Sequence, residues 1–342
     1  MSSVLEEAYD RLHVTGPEWD GNLANHGPMA AEVLDRRGYE GTVHGWVDAY
    51  VRRLDELPPA RERIDEWQAA LGNGQVGDWT AYFTRQLSEQ PWQDVLVTWW
   101  PRLLPGIAAG ATHGVIRVGH AVRRLRNEST PATTAELAHG LAYWAARSKT
   151  LPGLQPPAGQ LTAAQALDEI PHILSQEGPI SGRLARLAGL ADWPASVGAL
   201  RPARDADDAR SRLADLVDAA TLRYLGYAHG SPVLLIHTAT APNAVLQTLP
   251  ALPAEMWTPS LAAAWAASAA ITATFAPGQA ASRGDLPAAP ADPDELLERA
   301  VAHADEHVIK FADTAADVYV RTQNPDALAA GVLASTLIEP SR

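Results

Sequence analysis

The sequence predicts an all-α protein, folded as a single large multi-helix domain over residues 1–342. Three observations lead to this prediction. Apolar residues recur at spacings of three and four through most of the chain, which is the period of an amphipathic helix. Capping residues and prolines mark several helix starts. No regular series of short alternating segments indicates strands.

Seven segments carry the clearest helical pattern. They are residues 62–71, 79–89, 92–104, 134–148, 162–174, 206–226 and 294–321. Asp292 and Pro293 combine a capping side chain with a proline at the first helical position, so a helix is expected to begin at Pro293. Ser231 and Pro232 carry the same signal. The apolar run that follows them has the alternative of a buried strand, but we expect a helix.

Glycines and prolines predict further local features. Gly106, Gly110 and Gly114 are spaced one helical turn apart, which predicts a helix face that packs very closely against a neighbour. Pro101 and Pro242 are expected to punctuate the helices, since proline lacks the N–H that a helix interior uses.

Residues 72–77 match the pattern Gly-x-Gly-x-x-Gly. The dinucleotide-binding fingerprint also needs a preceding strand and a following helix. Here a helical pattern precedes the glycines and no strand is evident. We therefore interpret the segment as a helix end and a loop, which leaves the sequence without the usual signature of a flavin or nicotinamide enzyme.

Composition excludes several classes of function. The formal net charge of −13 argues against nucleic acid or an anionic membrane surface as a partner. The chain has no cysteine, so it has neither disulfides nor thiolate metal ligands. The acidic N-terminus lacks an apolar signal core, and the Ala-rich segment 260–276 falls short of a spanning helix. We expect a soluble, cytoplasmic protein.

Lysine is rare in this chain, which has only Lys149 and Lys310 against 25 arginines. An amine can lose its proton when it is buried, whereas a guanidinium cannot. His303, His307 and Lys310 are spaced at i, i+4 and i+7, which places them on one face of a continuous helix. The alternative is a lysine whose stem lies on apolar surface beside two solvated histidines.

Histidines in apolar surroundings suggest a metal site. His26, His113 and His237 each lie in or beside an apolar helical run, and His120 follows His113 by two turns. Each alone is more often a hydrogen-bonded core histidine than a ligand. Together with His307 they favour a metal, because helix bundles build metal sites from facing helices and imidazole suits divalent iron, copper, zinc and nickel.

Five blocks in order make the chain resemble the questin oxidase-like family. They are residues 25–30, 103–117, 141–147, 235–244 and 305–311. The family's fungal members open a quinone ring of anthraquinone-type polyketides, and at least one family site resembles a mononuclear non-haem iron centre held by four histidines and a carboxylated lysine. The resemblance implies that the metal ligands here are His26, His113, His237, His307 and carbamylated Lys310, with His120 and His303 as alternates.

The resemblance further implies a buried metal site between helices, loaded with ferrous iron. It also implies oxidative ring cleavage of an aromatic polyketide or quinone with dioxygen. One alternative is a Baeyer–Villiger-type monooxygenase that takes NADPH as a co-substrate. Another is a non-catalytic helical metal-binding protein. Asn25, Asp305 and Glu306 are candidates to orient the imidazoles, and Trp99, Trp100, Tyr143 and Trp144 either line an aromatic pocket or belong to the core.

Overall fold

The computed structural model describes residues 3–21 and 23–341. Helices dominate these ranges, and the all-α prediction is confirmed. The strands within them are β1 (Glu18–Trp19) and β2 (Leu23–Ala24), which pair antiparallel. The chain divides into two compact units. That the two units form one domain stays a prediction.

Unit 1 comprises the described residues up to Thr150 together with Gln247–Pro253. Its helices are α1 (Val4–His13), α2 (Gly27–Arg36), α3 (Glu40–Tyr50), α4 (Trp67–Ala70), α5 (Val76–Glu89), α6 (Trp92–Leu103), α7 (His113–Leu125) and α8 (Pro131–Arg147). Helix α8 packs against α5 and α7, and α1 packs against α2, α3 and α8. Trp79, Phe83 and Trp99 form an aromatic core between α5 and α6, with ring centroids 4.8–5.6 Å apart.

The three spaced glycines do not share a helix face, so that prediction is wrong. Gly106 lies in a 3-10 turn, Gly110 adopts a left-handed backbone with φ of 55°, and only Gly114 is inside α7. Close packing does occur at Gly114, where a Cβ atom would lie 2.6 Å from Cβ of Trp144. Glycine is required there because α7 and α8 approach one another so closely.

Unit 2 comprises Leu151–Leu246 and Ala254–Ser341. Its helices are α9 (Ala163–Asp168), α10 (Ile180–Ala185), α11 (Trp193–Gly198), α12 (Ala206–Tyr227), α13 (Pro232–Thr248, ending beyond the unit boundary), α14 (Trp257–Phe275), α15 (Pro293–His303), α16 (Glu306–Thr322) and α17 (Pro325–Leu337). Helix α14 is buried on all sides from Ala264 to Phe275, which explains why this stretch is rich in alanine and carries no charged residue. Helix α12 packs against α14, α16 and α17.

Most predicted helices are present, and the starts at Pro232 and Pro293 are confirmed. The segment after α4 is also confirmed as a helix end and loop, with Gly72 at φ of 75°. Pro101 and Pro242, by contrast, lie inside α6 and α13 rather than at helix ends. None of the helices in the described ranges combines the length and apolar character needed to cross a membrane.

Three predicted helices are wrong in extent because tertiary contacts override the local pattern. The helix predicted at residues 62–71 is reduced to α4, since the N–H groups of Arg61 and Glu62 donate to Asp78. The helix predicted at residues 162–174 stops at Asp168, because the N–H of Ile173 donates to the carbonyl of Ala273 on α14. The third, residues 294–321, is broken into α15 and α16.

Candidate functional site

Two of the candidate ligands come together in unit 1. His26 directly precedes α2 and His113 opens α7, and their rings meet edge to face with centroids 4.5 Å apart. Both residues are buried. Nδ1 of His113 is hydrogen-bonded to the carbonyl of Gly110, which can only accept, so Nδ1 carries the proton. That tautomer places the lone pair on Nε2, the nitrogen that a metal would take.

The turn before His113 is strained. Gly110, Ala111 and Thr112 have φ values of 55°, 52° and 68°, a left-handed run that L residues with side chains rarely adopt. Each non-glycine residue of this kind costs on the order of 1 kcal/mol, and such strain clusters at functional sites. The turn lies against the hydroxyl of Tyr143, from which a Cβ at Gly110 would be 3.2 Å away.

The hydroxyl of Tyr143 is itself held in place. It donates a 3.2 Å hydrogen bond to Oε1 of Glu18, and Arg147 holds the same carboxylate through two N–H groups. Burial and the nearby Glu18 charge raise the pKa of Tyr143 well above its usual range, so the phenol stays protonated and remains a donor. These bonds hold the Tyr143 hydroxyl against the turn. The position of the turn in this way sets the start of α7 at His113.

Two further candidates come together in unit 2. His237 on α13 and His307 on α16 have ring centroids 5.9 Å apart and nearly perpendicular planes. Nδ1 of His237 donates to the carbonyl of Leu234 at 3.3 Å, so its lone pair is again on Nε2. His113 and His237 therefore carry the same tautomer, with the proton on Nδ1 and the lone pair on Nε2.

Pro242 affects the helix turn that carries His237. Proline has no N–H, so the carbonyl four residues earlier, on Thr238, loses its helical partner. The hydroxyl of Ser268 on α14 donates to that carbonyl at 2.8 Å. This side-chain bond explains why α13 continues through Pro242 instead of ending there, and it ties the turn after His237 to α14.

Asp305 both starts α16 and contacts His307. Its Oδ1 accepts hydrogen bonds from the backbone N–H groups of His307 and Val308 at 2.8 and 3.1 Å, and it lies 3.5 Å from Nδ1 of His307. Burial alone would raise the pKa of Asp305, but these hydrogen bonds and the attraction to His307 lower it. A carboxylate on Nδ1 leaves Nε2 of His307 as the nitrogen that a metal would take.

Lys310 lies one turn after His307 and is only 2% exposed. Burial lowers the pKa of Lys310 to about 7, although the charges of Glu306 and Asp305 oppose the shift. A large fraction of this amine is therefore neutral near pH 7, which is the form that adds carbon dioxide.

The prediction that His303, His307 and Lys310 share one helix face is wrong. Ala304 adopts φ of 64° and ends α15, so His303 lies on a different helix from the other two. Nε2 of His303 donates to the carbonyl of Ile338 at 2.9 Å. His120, the other alternate, lies in unit 1 with Nδ1 2.8 Å from Glu32.

The remaining candidates divide between capping and core. Asn25, a candidate to orient an imidazole, accepts a hydrogen bond from the N–H of Gly27 at the start of α2. Trp99, Trp100, Tyr143 and Trp144 are all buried in unit 1. Trp144 packs edge to face on Trp100 at 5.4 Å, which is core packing.

Two buried ion networks in unit 1 are absent from the sequence-based prediction. Arg117 on α7 donates two hydrogen bonds to Glu136 on α8, at 2.6 and 2.8 Å. Glu32 on α2 is held in the same way by Arg123, with His120 alongside. The available signal was a glutamate inside each apolar helical run, since an acid at a core position needs a partner.

The sequence also matches a known protein family. The model of the family described as Questin oxidase-like matches residues 31–315. The chain belongs to the questin oxidase-like family. Membership indicates an oxidase or oxygenase role. His113, His237, His307 and Lys310 lie inside the matched range, and His26 lies just before it. No curated protein and no solved structure matches the chain significantly.

Replacing Asp305 should affect both the stability of the fold and the proposed metal site. We expect Asp305→Ala to destabilise the fold by about 1 kcal/mol through loss of the helix cap and to weaken metal affinity by roughly 10- to 100-fold through loss of the His307 contact. Asp292 is a matched control because it caps α15 by accepting from Glu295 N–H at 2.9 Å. Thermal melts and metal titrations of both alanine variants test this. Equal metal affinity in the two variants would contradict the orienting role.

Proposed function

We propose that this protein is a non-haem iron oxygenase that opens a ring of an aromatic polyketide or quinone with dioxygen. The observation that carries the proposal is Lys310, a buried amine one helical turn from His307 in a questin oxidase-like chain. Burying a protonated lysine costs stability, so a lysine at such a position calls for a functional explanation. Becoming a metal ligand is a use that arginine could not serve.

The proposed ligands of one ion are His26, His113, His237, His307 and carbamylated Lys310. Nε2 of His113, His237 and His307 and an oxygen of the carbamate would hold the metal together with His26. Support comes from the surroundings of the individual imidazoles. Hydrogen bonds fix the Nδ1-protonated tautomer of His113 and His237, and Asp305 lies beside Nδ1 of His307. Such outer bonds are the usual partners of metal-bound imidazoles.

Carbamylation supplies the negative charge that the histidines lack. The neutral amine adds carbon dioxide, forming an N–C bond and releasing one proton, and the product is a carboxylate at the end of a long stem. Four neutral imidazoles leave a divalent ion with its full charge, and one anionic oxygen partly neutralises it. Ferrous iron, when bound, would supply the one-electron chemistry by which dioxygen reacts without a flavin.

The rest of the proposal assigns roles to the protein's own groups. Burial lowers the pKa of Lys310 to about 7, which makes the neutral amine available for carbamylation. The left-handed turn at residues 110–112 and the cap at Asp305 hold His113 and His307 in fixed positions before a metal arrives. Prearranged ligands lose little entropy on binding, which favours tight metal retention.

Metal analysis of protein purified without a His-tag tests the proposal. We expect about one iron per chain when the protein is produced and purified without oxygen. We also expect oxygen consumption with hydroxylated anthraquinones that needs no added NADPH. Oxygen uptake that depends strictly on NADPH would favour a monooxygenase instead. Near-zero transition metal in active protein would refute the iron assignment.

A further inference from the structure

A cavity of about 480 Å³ lies in unit 2, at the end of α14 and the start of α13. Its walls combine an apolar floor with polar groups from separate segments: Ile173 and Phe275 below, and His172, Gln176, Arg183 and Ser231 around them. Ligand cavities in proteins have this size and this mixture of an apolar surface with a few convergent polar groups.

The charge of the cavity is unusual for this protein. Among the described residues that line it, Arg183 is a fixed cation and none is acidic, although the whole chain carries a net charge of −13. The guanidinium of Arg183 lies over the ring of Phe275, 5.4 Å from its centroid. Its Nε–H donates to the carbonyl of Gly178 at 2.9 Å, which anchors the planar group.

The walls are held in place by bonds to the end of α14. Nδ1 of His172 donates to the carbonyl of Ala276 at 2.8 Å, and the N–H of Ile173 donates to the carbonyl of Ala273 at 2.9 Å. Carbonyls at a helix C-terminus lack helical partners, so these bonds satisfy them. Arg186 holds the neighbouring loop through the carbonyls of Ser175 and Glu177. The cavity is therefore preformed.

We propose that this cavity binds an aromatic carboxylate, a site separate from the candidate metal ligands. The carboxylate pairs with the guanidinium of Arg183, whose fork geometry matches two oxygens. The aromatic body lies on Phe275 and Ile173, where apolar area leaves water. No step of the iron proposal is needed for this binding, so either proposal can fail without the other.

Calorimetric titration of the intact protein with 2-naphthoate tests the site, with uncharged 2-naphthamide as the matched probe. We expect 2-naphthoate to bind at least about tenfold more tightly than the amide, because only the carboxylate forms charge-assisted hydrogen bonds with the guanidinium. Arg183→Gln should remove that preference while leaving binding of the amide unchanged. Arg210→Gln, at an exposed position on α12, should change neither.

A second variant separates binding from folding. Phe275→Leu should weaken both probes, because it removes the aromatic ring while Arg183 and its charge remain, and thermal melts report whether each variant is folded. Adding salt should weaken 2-naphthoate and leave the amide unaffected. Absence of binding up to millimolar concentrations, or equal affinity for the two probes in the wild type, would overturn the proposal. So would an unchanged preference for 2-naphthoate in folded Arg183→Gln.

Discussion

Replacing Lys310 with arginine is expected to abolish or sharply weaken metal binding, and oxygenase activity with it. Arginine keeps the positive charge and most of the length but cannot form a carbamate. A permanent cation would then lie beside the imidazoles and repel a divalent ion. Metal content by mass spectrometry and oxygen uptake measure the effect. Lys149→Arg is the matched control, since Lys149 is exposed and far in sequence from every candidate ligand.

Lys310→Met tests the same residue by removing the charge instead of making it permanent. The depression of the Lys310 pKa from 10.5 to about 7 corresponds to roughly 5 kcal/mol of destabilisation below pH 7, where the amine is protonated in both the folded and the unfolded state. We therefore expect the methionine variant, which matches the volume but carries no charge, to stabilise the metal-free protein by a few kcal/mol at pH 6. It should also lose the metal. A gain in stability with a loss of function identifies a residue kept for its chemistry.

The pH dependence of that gain has a definite sign. The folded amine has the lower pKa, so the unfolded state binds more protons between about pH 7 and 10.5. Stability of the wild-type apoprotein should therefore rise with pH across this window, and the advantage of Lys310→Met should disappear toward pH 10.5. Chemical denaturation in carbon dioxide-free buffer measures both curves.

The arginine substitution has a clear contrary outcome. A folded Lys310→Arg variant that keeps its full metal content would refute the role of Lys310 as a metal ligand.

The sequence predicted the helices well wherever the signal was local. Asp292 and Pro293 mark the start of α15 because a cap and a fixed φ act within one turn. The break at Ala304 could not be predicted, since alanine favours helix and nothing nearby signals a left-handed residue. Its position becomes understandable only with Asp305, whose side chain caps a new helix immediately afterwards.

The candidate ligands show the same limit. Apolar surroundings and family blocks suggested His113 and His237, but the sequence does not encode their tautomers, which depend on the carbonyls of Gly110 and Leu234. The left-handed turn before His113 was mistaken for a helix, because its glycine spacing matches a helical face. Strain of this kind depends on contacts distant in sequence, here the hydroxyl of Tyr143.

Removing the charge of Glu136 should cause a large loss of stability while sparing the candidate ligands. Glu136 and Arg117 are each 2% exposed or less, and Arg117 donates two hydrogen bonds to the Glu136 carboxylate. In Glu136→Gln the guanidinium stays buried without a counter-charge, which typically costs about 3–5 kcal/mol. Denaturant unfolding measures this. Glu128→Gln, which alters an exposed i,i+4 pair with Arg124, should cost less than about 1 kcal/mol.

The same network predicts how the fold responds to acid. Burial opposes ionisation of Glu136, but the charge and hydrogen bonds of Arg117 outweigh it and lower the pKa of Glu136 to about 2. Arg123 and His120 lower the pKa of Glu32 to about 2 in the same way. Each carboxylate thus contributes on the order of 3 kcal/mol above pH 4.5, a contribution that is lost as the pH falls from 4.5 toward 2.

A double substitution separates the pairing energy from the cost of burial. Arg117→Met combined with Glu136→Leu removes both charges, and we expect it to recover most of the stability lost in Glu136→Gln, since apolar replacements of buried ion pairs are often neutral. It should also make the acid limb of the stability curve less steep, while Glu32 and Asp305 still titrate. Equal losses in the single and double variants would show that shape, rather than charge pairing, holds α7 against α8.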